Sequence, residues 1–343
     1  MKKFKLNLQL LAYDPQAQPV NHTGATALSA EMKTFYDMTL IDEASATLVH
    51  DQFGQKRHIP AGGGKTIEFR KFSPLAKATT PITEGVTPTG KSLNVSAFTA
   101  AVKQYGDFVV QTDVLELTSL DNTILEATKL LGKQAGATLD TIVRDELQSG
   151  TNVTYCPKIG ADGKETEVTS RKDLDATAKL TVDVVQQVVA KLRAQNAPTI
   201  GGKYVAIIHP YVAYDLMRDP EWIDAHKYTN VTNLYEGEIG EIAGVRFVQT
   251  TEAKIYKNDT TPEGLAVFGS LFLGENAYGV TEITGGGLQT IVKQKGSAGT
   301  GDPLDQRSSV GWKAIKTARI LVQNYLVRVE SCSPRFSAAA EAN

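Results

Sequence analysis

Residues 80–113 read TPITEGVTPTGKSLNVSAFTAAVKQYGDFVVQTD, and this stretch decides the fold. Prolines, glycines and threonines crowd its first part and disfavour a helix, whereas Leu93, Val95 and Ala97 fall on one face of an alternating run. A second alternating run, TIEF at 66–69, precedes it. The pattern predicts a long two-stranded excursion with a Pro/Gly/Thr tip. An isolated hairpin is marginal in water, so this one must pack against something else.

The longest predicted helix begins at Asp121, a suitable N-cap, and ends at Gln148. Gly132 and Gly136 lie on one face of it, and each costs up to ~1 kcal/mol relative to alanine. We therefore expect a backbone, from a strand of the same lobe or from a neighbouring arm, to approach this face closely. A broad apolar stripe runs along the same helix, formed by Ile124, Leu131, Ala135, Leu139 and Ile142.

A second lobe is predicted after the polar and mixed residues 151–180. An amphipathic helix at 182–195 precedes the apolar run YVAIIHP at 204–210, which is typical of a buried strand. A short helix and further strands at 240–250 and 264–269 follow. Helices and strands thus alternate along this part of the chain, which indicates a compact α+β lobe. The chain then returns to long β-rich runs, so this lobe is predicted to be an insertion into the first.

The composition is that of a globular protein with nearly balanced charge. The 343 residues include 36 Lys and Arg against 38 Asp and Glu, which gives a net charge of −2. A dedicated nucleic-acid binder presents a basic face, so that class is disfavoured, although a wall that encloses nucleic acid is not. No apolar run approaches the roughly 20 residues that span a bilayer. Cys156 and Cys332 are too few for a disulfide framework or a zinc site, which fits folding in the cytoplasm.

The first residues predict an extended arm over 1–27. In MKKFKLNLQLLA the side chains of Phe4, Leu6, Leu8 and Leu10 alternate strictly with polar ones, which is strand periodicity. A signal peptide needs an unbroken apolar stretch, which Asn7 and Gln9 interrupt. We expect an arm with one apolar edge that is available to pair with another surface.

Motifs for catalysis or ligand binding fail their spacing tests. GGGKT at 62–66 lacks the earlier glycine of a phosphate-binding loop, and an alternating run follows it instead of a helix. His209, at a strand end, is expected to be structural. A solvated loop is expected for the acids near Trp222, namely Asp219, Glu221 and Asp224. We therefore expect no catalytic, cofactor-binding or metal-binding residues and no enzymatic activity. The predicted arm and the predicted hairpin cannot be stable on their own and need neighbours to pack against. This indicates a protein that functions by assembly.

Several stretches, in their order along the chain, resemble the major capsid proteins of tailed bacteriophages. That family has the Johnson capsid fold, which herpesvirus shells and encapsulins share. The resemblance is carried by residues 80–113, quoted above, and by MKKFKLNLQLLA at 1–12, ALSAEMKTFYDMTLIDEA at 27–44, IPAGGGKTIEFRKFSPL at 59–75 and GDPLDQRSSVGWKAIKTARILVQNYLVRVES at 301–331.

The resemblance implies an α+β phage capsid fold with four parts. They are an N-terminal arm, an extended β-hairpin loop, a peripheral domain whose spine is the long helix, and an axial domain. The implied bounds are 1–27 for the arm, 73–112 for the loop, 28–72 with 113–179 and 286–335 for the peripheral domain, and 180–285 for the axial domain.

The implied function is that of a major capsid protein that self-assembles into the icosahedral shell of a tailed bacteriophage and encloses its double-stranded DNA. The implied location is the virion capsid, after assembly in the host bacterial cytoplasm. The implied partners are copies of the chain in pentamers and hexamers, neighbouring capsomers, separate scaffolding, portal and decoration proteins, and packaged DNA through non-specific contact; no membrane and no cofactor are implied.

Two alternatives stay open: an encapsulin-type compartment shell and a soluble α/β enzyme. For the shell, we expect intersubunit contacts at Pro81, Glu84, Gly85, Pro88, Lys91 and Trp222.

Overall fold

A computed structural model describes most of the chain beyond the predicted arm. The arm at 1–27 and most of residues 28–49 lie outside the described residues. The described residues are 40–41, 43–44, 48–60, 62, 64–72, 75–87, 89–119, 123–160, 162–226, 240–283, 286–297 and 302–343.

The described residues form sixteen strands and five helices, beside the helical residues 40–41 and 43–44 and single 3-10 turns at Arg171–Asp173 and Gln323–Tyr325. In chain order they are β1 (Gln55–Ile59), β2 (Thr66–Phe72), β3 (Val95–Ala101), β4 (Lys103–Thr112), α1 (Asp113–Thr118), α2 (Thr123–Gln148), β5 (Val153–Tyr155), β6 (Lys158–Ile159), β7 (Glu165–Thr166), α3 (Val182–Ala194), β8 (Tyr204–Ile208), α4 (Pro210–Met217), α5 (Pro220–His226), β9 (Glu241–Ile242), β10 (Val245–Gln249), β11 (Ile255–Tyr256), β12 (Val267–Leu273), β13 (Tyr278–Ile283), β14 (Gln289–Lys293), β15 (Arg307–Ile320) and β16 (Leu326–Ser331).

The first sheet has five strands and is organised around β15. Its order is β1–β13–β15–β14, and β4 pairs with β15 as well. Residues 307–316 of β15 pair antiparallel with β4, while residues 309–313 pair with β14 and residues 316–320 with β13. Because residues 309–313 have partners on both sides, β4 lies on the opposite side of β15 from β14 and forms an edge of this sheet.

The long helix α2 packs on one face of the five-stranded sheet, as its apolar stripe predicts. Leu131, Ala135 and Leu139 are buried in one cluster with Val310, Trp312 and Ala314 of β15, and Ile124 and Ile142 pack against it half-buried. The alternation of these β15 side chains is the two-residue period of a strand with one covered face. The predicted helix and its stripe are confirmed, while its expected N-cap Asp121 lies outside the described residues.

Close backbone approach is confirmed at Gly132 of α2. A Cβ at this position would lie 2.9 Å from the carbonyl oxygen of Leu40 and 3.3 Å from its Cα. Gly136, one turn further, is also buried. The approaching backbone is that of the helical residue Leu40, and neither a strand nor a neighbouring arm as the sequence suggested.

The second sheet has seven strands in the order β5–β16–β12–β8–β10–β9, with β11 also paired to β12. Both of its faces are covered. Tyr204, Ala206 and Ile208 of β8 point into a cluster with α3 and α4, whereas Val205 and Ile207 point to a cluster with the end of α2 and with β13. A strand buried on both faces accounts for the unbroken apolar run in the sequence.

Three strands fall outside the bounds predicted for their lobes. β13 was expected in the 180–285 unit but pairs with β1 and β15. β16 was expected with 286–335 but pairs with β5 and β12, and so joins the seven-stranded sheet. β4 was expected within the loop at 73–112 but belongs to the five-stranded sheet over its whole length. Partners distant in sequence set these pairings, and local periodicity does not report them.

One buried carboxylate ties residues 48–53 to the middle of α2. Asp140 accepts hydrogen bonds from the backbone N–H groups of Val49 at 2.9 Å and His50 at 2.7 Å, and its other oxygen lies 2.6 Å from Nδ1 of His50. Neither side chain is accessible to solvent beyond 1%. Three contacts on one buried carboxylate make Asp140 a structural anchor, because any of these groups left unpaired would retain its desolvation cost.

Candidate intersubunit surfaces

The extended hairpin is formed by β2 and β3, which pair from Thr66–Ala101 at the base to Phe72–Val95 at the far end. Its anchor is Phe69, whose ring lies 2.7 Å from where a Cβ on Gly279 of β13 would be. Glycine therefore leaves the space that the ring fills. Apart from Phe69 and Ala100, the described hairpin side chains are not buried, so the hairpin base alone is packed on its own subunit.

The loop between the two strands is open to solvent at every described residue from 75 to 94. In the middle of this loop the N–H of Val86 donates to the carbonyl of Thr83 at 3.2 Å and closes a turn. Gly85 in this turn has a φ of +78°, which favours glycine. The ammonium of Lys91 donates to the carbonyl of Ala76 at 2.9 Å across the loop. The turn predicted from proline and glycine is present.

The loop and the adjoining first residue of β3 expose large apolar side chains that none of the described residues covers. Ile82 is 75% exposed, and the remainder of the set, each at least half exposed, consists of Leu75, Val86, Leu93 and Val95. Five large apolar side chains exposed within 21 residues are more than the scattered single ones of an ordinary surface, and they make this loop a candidate interaction site. The predicted contact residues Pro81, Glu84, Gly85 and Lys91 lie on this loop and are exposed, whereas Pro88 lies outside the described residues.

Trp222 is wrongly predicted as an intersubunit contact. It is 5% exposed and packs edge-on against Phe247, with 5.5 Å between ring centroids. The polar loop expected around it is the helix α5, which turns the indole inward. A side chain enclosed by its own subunit presents no surface to a neighbour.

A second apolar surface lies at the end of β4 that is distant from the hairpin, and the sequence analysis did not predict it. The six-residue helix α1 has no buried residue, yet it carries Val114, Leu115 and Leu117, the last 80% exposed. Leu304, also largely exposed, lies close by, because the N–H of Asp113 donates to the carbonyl of Gln306 at 2.9 Å. We call Val114, Leu115, Leu117 and Leu304 the tip surface. A helix of six residues is too short to display a helical period, so the sequence did not reveal this surface.

The residues singled out for possible chemistry are structural. His209 caps α4 by accepting from the N–H of Tyr211 at 3.2 Å, and burial lowers the pKa of His209 to about 4. Asp219, expected in a solvated loop, is buried and accepts from the N–H of Val182 at 3.0 Å and of Glu221 at 3.1 Å. It therefore caps the starts of α3 and α5.

GGGKT forms a turn before a strand, as predicted, with Gly62 and Gly64 at positive φ and β2 following. Cys156 and Cys332 are buried thiols, and burial raises the pKa of Cys332 to about 12, far from thiolate reactivity.

A groove with a volume of ≈ 460 Å³ lies between the hairpin and the end of β15. Phe98 borders it together with Glu146 and Arg319, which form an ion pair at 3.3 Å. The groove contains no histidine or cysteine. Within the described ranges, no group of three or more His, Cys, Asp or Glu side chains could hold a metal ion. No helix among the described residues has the length and apolarity to cross a membrane.

Comparison with known proteins identifies one family and several solved structures of similar fold. A family model described as phage capsid protein matches residues 74–326. No curated protein sequence matches the chain. The chain is similar in structure to the capsid of Ralstonia phage GP4, with a TM-score of 0.65 and 14% identity over 83% of this chain and 88% of that one.

Two cyanophage capsids show the same likeness. The capsid of cyanophage P-SCSP1u gives a TM-score of 0.63 and 14% identity over 83% of this chain and 88% of that one. The capsid asymmetric unit of cyanophage Pam1 gives 0.65 and 12% over 99% and 100%. At these identities the likeness is one of fold, and it bears out the α+β capsid fold expected from the sequence.

Proposed function

The chain belongs to the phage capsid protein family and is a shell-forming protein of a phage, and from this membership we propose that its copies build the icosahedral shell of a tailed bacteriophage around double-stranded DNA. The observation that carries the proposal beyond family membership is the extended hairpin. The loop and Val95, the first residue of β3, present five large apolar side chains to solvent, and none of the described residues covers them. A subunit that functions alone has no use for such an extension.

We propose that the loop is a clamp between subunits. Covering one large aliphatic side chain stabilises by about 1.5–3 kcal/mol when burial is complete, so five half-exposed ones contribute several kcal/mol per copy. Repeated around pentamers and hexamers, contacts of this modest size add up to a stable shell. The clamp residues we propose are Pro81, Glu84, Gly85, Pro88 and Lys91.

The division into an arm, a peripheral domain, an extended loop and an axial domain remains part of this proposal. The sheets support it in an amended form, in which the five-stranded sheet with α2 is the core of the peripheral domain and the seven-stranded sheet with α3, α4 and α5 is the core of the axial domain. We propose that separate scaffolding, portal and decoration proteins join the assembly, and that it takes place in the host bacterial cytoplasm.

The proposed contact with DNA is non-specific. A net charge of −2 over 343 residues supports a wall that encloses the genome and argues against a protein that binds it tightly. The capped and buried states of His209 and Asp219 support a role without catalysis.

The clamp is tested by shortening the loop. Deletion of Pro81–Gly90 should leave a folded, soluble subunit, because this segment packs on none of the described core, but the subunit should make no shells. A subtler pair keeps the length: Ile82→Asp with Val86→Asp should abolish assembly, whereas Thr83→Asp with Thr87→Asp adds the same charge at exposed polar positions and should be tolerated. Sedimentation separates shells from subunits. Normal shells from the deletion would overturn the clamp.

A further inference from the structure

One face of the five-stranded sheet has no cover over β4, β14 and β15 among the described residues. The side of β15 that carries Trp312 packs on α2, so the alternate side chains of this strand point away from the helix. The neighbouring strands follow this alternation, because Phe108 of β4 and Ile291 of β14 both pair with Gly311. We call the side of residues 104–112, 289–293 and 307–315 that points away from α2 the open face.

The centre of the open face is apolar. Phe108 is 67% exposed, Val110 48% and Ile291 38%. Phe108 and Ile291 flank Gly311, where an added Cβ would lie 2.6 Å from Cβ of Phe108, so only glycine leaves room for this side chain. Large apolar side chains at neighbouring positions of three paired strands form a patch, and such a patch is typical of an interaction site.

The rim of the open face is positively charged. Lys293, Arg307 and Lys313 lie on it and are exposed, and none of the three forms an ion pair with another described residue. The single carboxylate of the three strands is that of Asp107, which points to the α2 side and accepts from the amide of Gln134 at 2.7 Å. The open face therefore combines an apolar centre with three unpaired cations and no carboxylate.

The open face has the size of one polypeptide segment. Three strands at a spacing of about 4.8 Å give a width of about 10 Å, and residues 307–315 of β15 give a length of about 30 Å. The product, about 300 Å², is well below the roughly 800 Å² that each partner buries in a stable protein interface. A single segment that lies along the strands can cover this area, whereas a whole second domain needs more.

The exposed segments of this chain do not complement the open face. The loop at 75–94 holds two lysines and one glutamate, and residues 1–12 hold three lysines and no carboxylate, so each would bring like charge to the rim. The tip surface includes the segment 113–118 with two carboxylates, but one of them, Glu116, is already paired with Lys295 at 2.8 Å. The complementary segment is therefore expected in another molecule.

Double-stranded DNA complements the charge of the open face but not its centre. A duplex presents rows of phosphates, which pair with lysine and arginine. The ring of Phe108 gains nothing from a charged backbone, because a phosphate pressed against it loses water without gaining a partner. A polypeptide carries both carboxylates and apolar side chains, and an apolar centre within a charged rim is the ordinary arrangement of a protein interface.

We propose that the open face is the docking site for an acidic segment of a second, different protein. Apolar side chains of that segment cover Phe108 and its neighbours, and its carboxylates pair with the three cations of the rim. The inference rests on the proposed function only in making the partner a separate protein of the shell, because the open face itself is present on the free subunit.

Binding of a designed peptide to the full chain tests the docking. The probe is a fluorescent peptide of about nine residues, the length of the open face, in which leucine and glutamate alternate. Fluorescence anisotropy should show binding to the subunit that weakens at least about tenfold in Lys293→Glu with Lys313→Glu, and also in Phe108→Ser. The matched control, Lys164→Glu with Lys172→Glu, reverses two exposed lysines outside the open face and should bind as the unmodified chain does.

Each outcome supports or overturns the docking. Equal binding by the open-face variants and the control would overturn it. A DNA duplex that competes with the peptide and binds equally well to Phe108→Ser would assign the open face to nucleic acid, which also overturns it. If the unmodified chain yields no particles, the proposed function fails, while the peptide result on the free subunit stands by itself.

Thiol labelling shows whether this chain covers the open face by itself. Phe108→Cys should react with a maleimide both in the free subunit and in assembled particles, and the native Cys156 and Cys332 are buried and give little background. Protection in the free subunit would show cover by residues 1–39. Protection in the particles alone would show cover by a second copy, and either result overturns the docking.

Discussion

Replacing Gly132 by alanine should destabilise the subunit, although alanine is the better helix former. The new Cβ would lie 2.9 Å from the carbonyl oxygen of Leu40 and 3.0 Å from Cβ of Glu43, closer than ordinary contacts. Backbone must move to make room, and overpacking of this kind costs about 1–3 kcal/mol. Helix propensity returns up to ~1 kcal/mol. The net expectation is a loss of about 1 kcal/mol for alanine and a larger loss for leucine.

The assay is chemical unfolding of the purified subunit, with Gly90→Ala as the matched control. Gly90 lies in the loop, where an added Cβ would have no other atom within 4 Å and where φ is not positive, so alanine there is neutral or slightly stabilising. The two glycine-to-alanine changes should therefore differ in sign. A Gly132→Ala subunit as stable as the wild type, or more stable, would refute close packing between α2 and the residues around Leu40.

Four further outcomes are expected. Asp140→Ala should lower the unfolding free energy by about 2–4 kcal/mol, because it leaves Nδ1 of His50 and two backbone N–H groups without a partner. Asp140→Asn should lose less, and equal losses in urea unfolding would contradict this expectation. Because the folded-state pKa of His209 is about 4, below its ordinary 6.5, stability should fall as pH drops from 6.5 towards 4, and His209→Asn should flatten that fall in a pH series of unfolding curves. Trp222→Ala should cost about 3–5 kcal/mol of subunit stability, whereas Ile82→Ala should leave thermal unfolding unchanged and reduce assembly. Treatment with a chelator should leave the thermal midpoint of the subunit where it was, and a clear drop would reveal a metal.

Elements with strong local periodicity were predictable from the sequence. The stripe along α2 and the apolar run of β8 each repeat one period over enough residues to identify the element and its buried side. The hairpin loop was predictable because Pro81 and Gly85 prevent regular structure and leave the apolar side chains without a core.

Strand partners and short elements were not predictable in the same way. β13 follows β12 of the seven-stranded sheet but joins the five-stranded one, and β16 follows β15 of the five-stranded sheet but joins the seven-stranded one. The partners of both strands are set by contacts distant in sequence. α5 has seven residues, too few to display a helical period, so acids on either side of Trp222 suggested an exposed loop. α1 has six residues, which are also too few to display a helical period, so its exposed apolar side chains were not predicted.

Electron microscopy of particles formed by the purified chain tests the central claim most directly. The account predicts closed shells of uniform diameter whose capsomers are rings of five and six subunits, each with its extended loop lying on a neighbour. A preparation that contains only monomers or small oligomers at concentrations where the subunit is folded would contradict it.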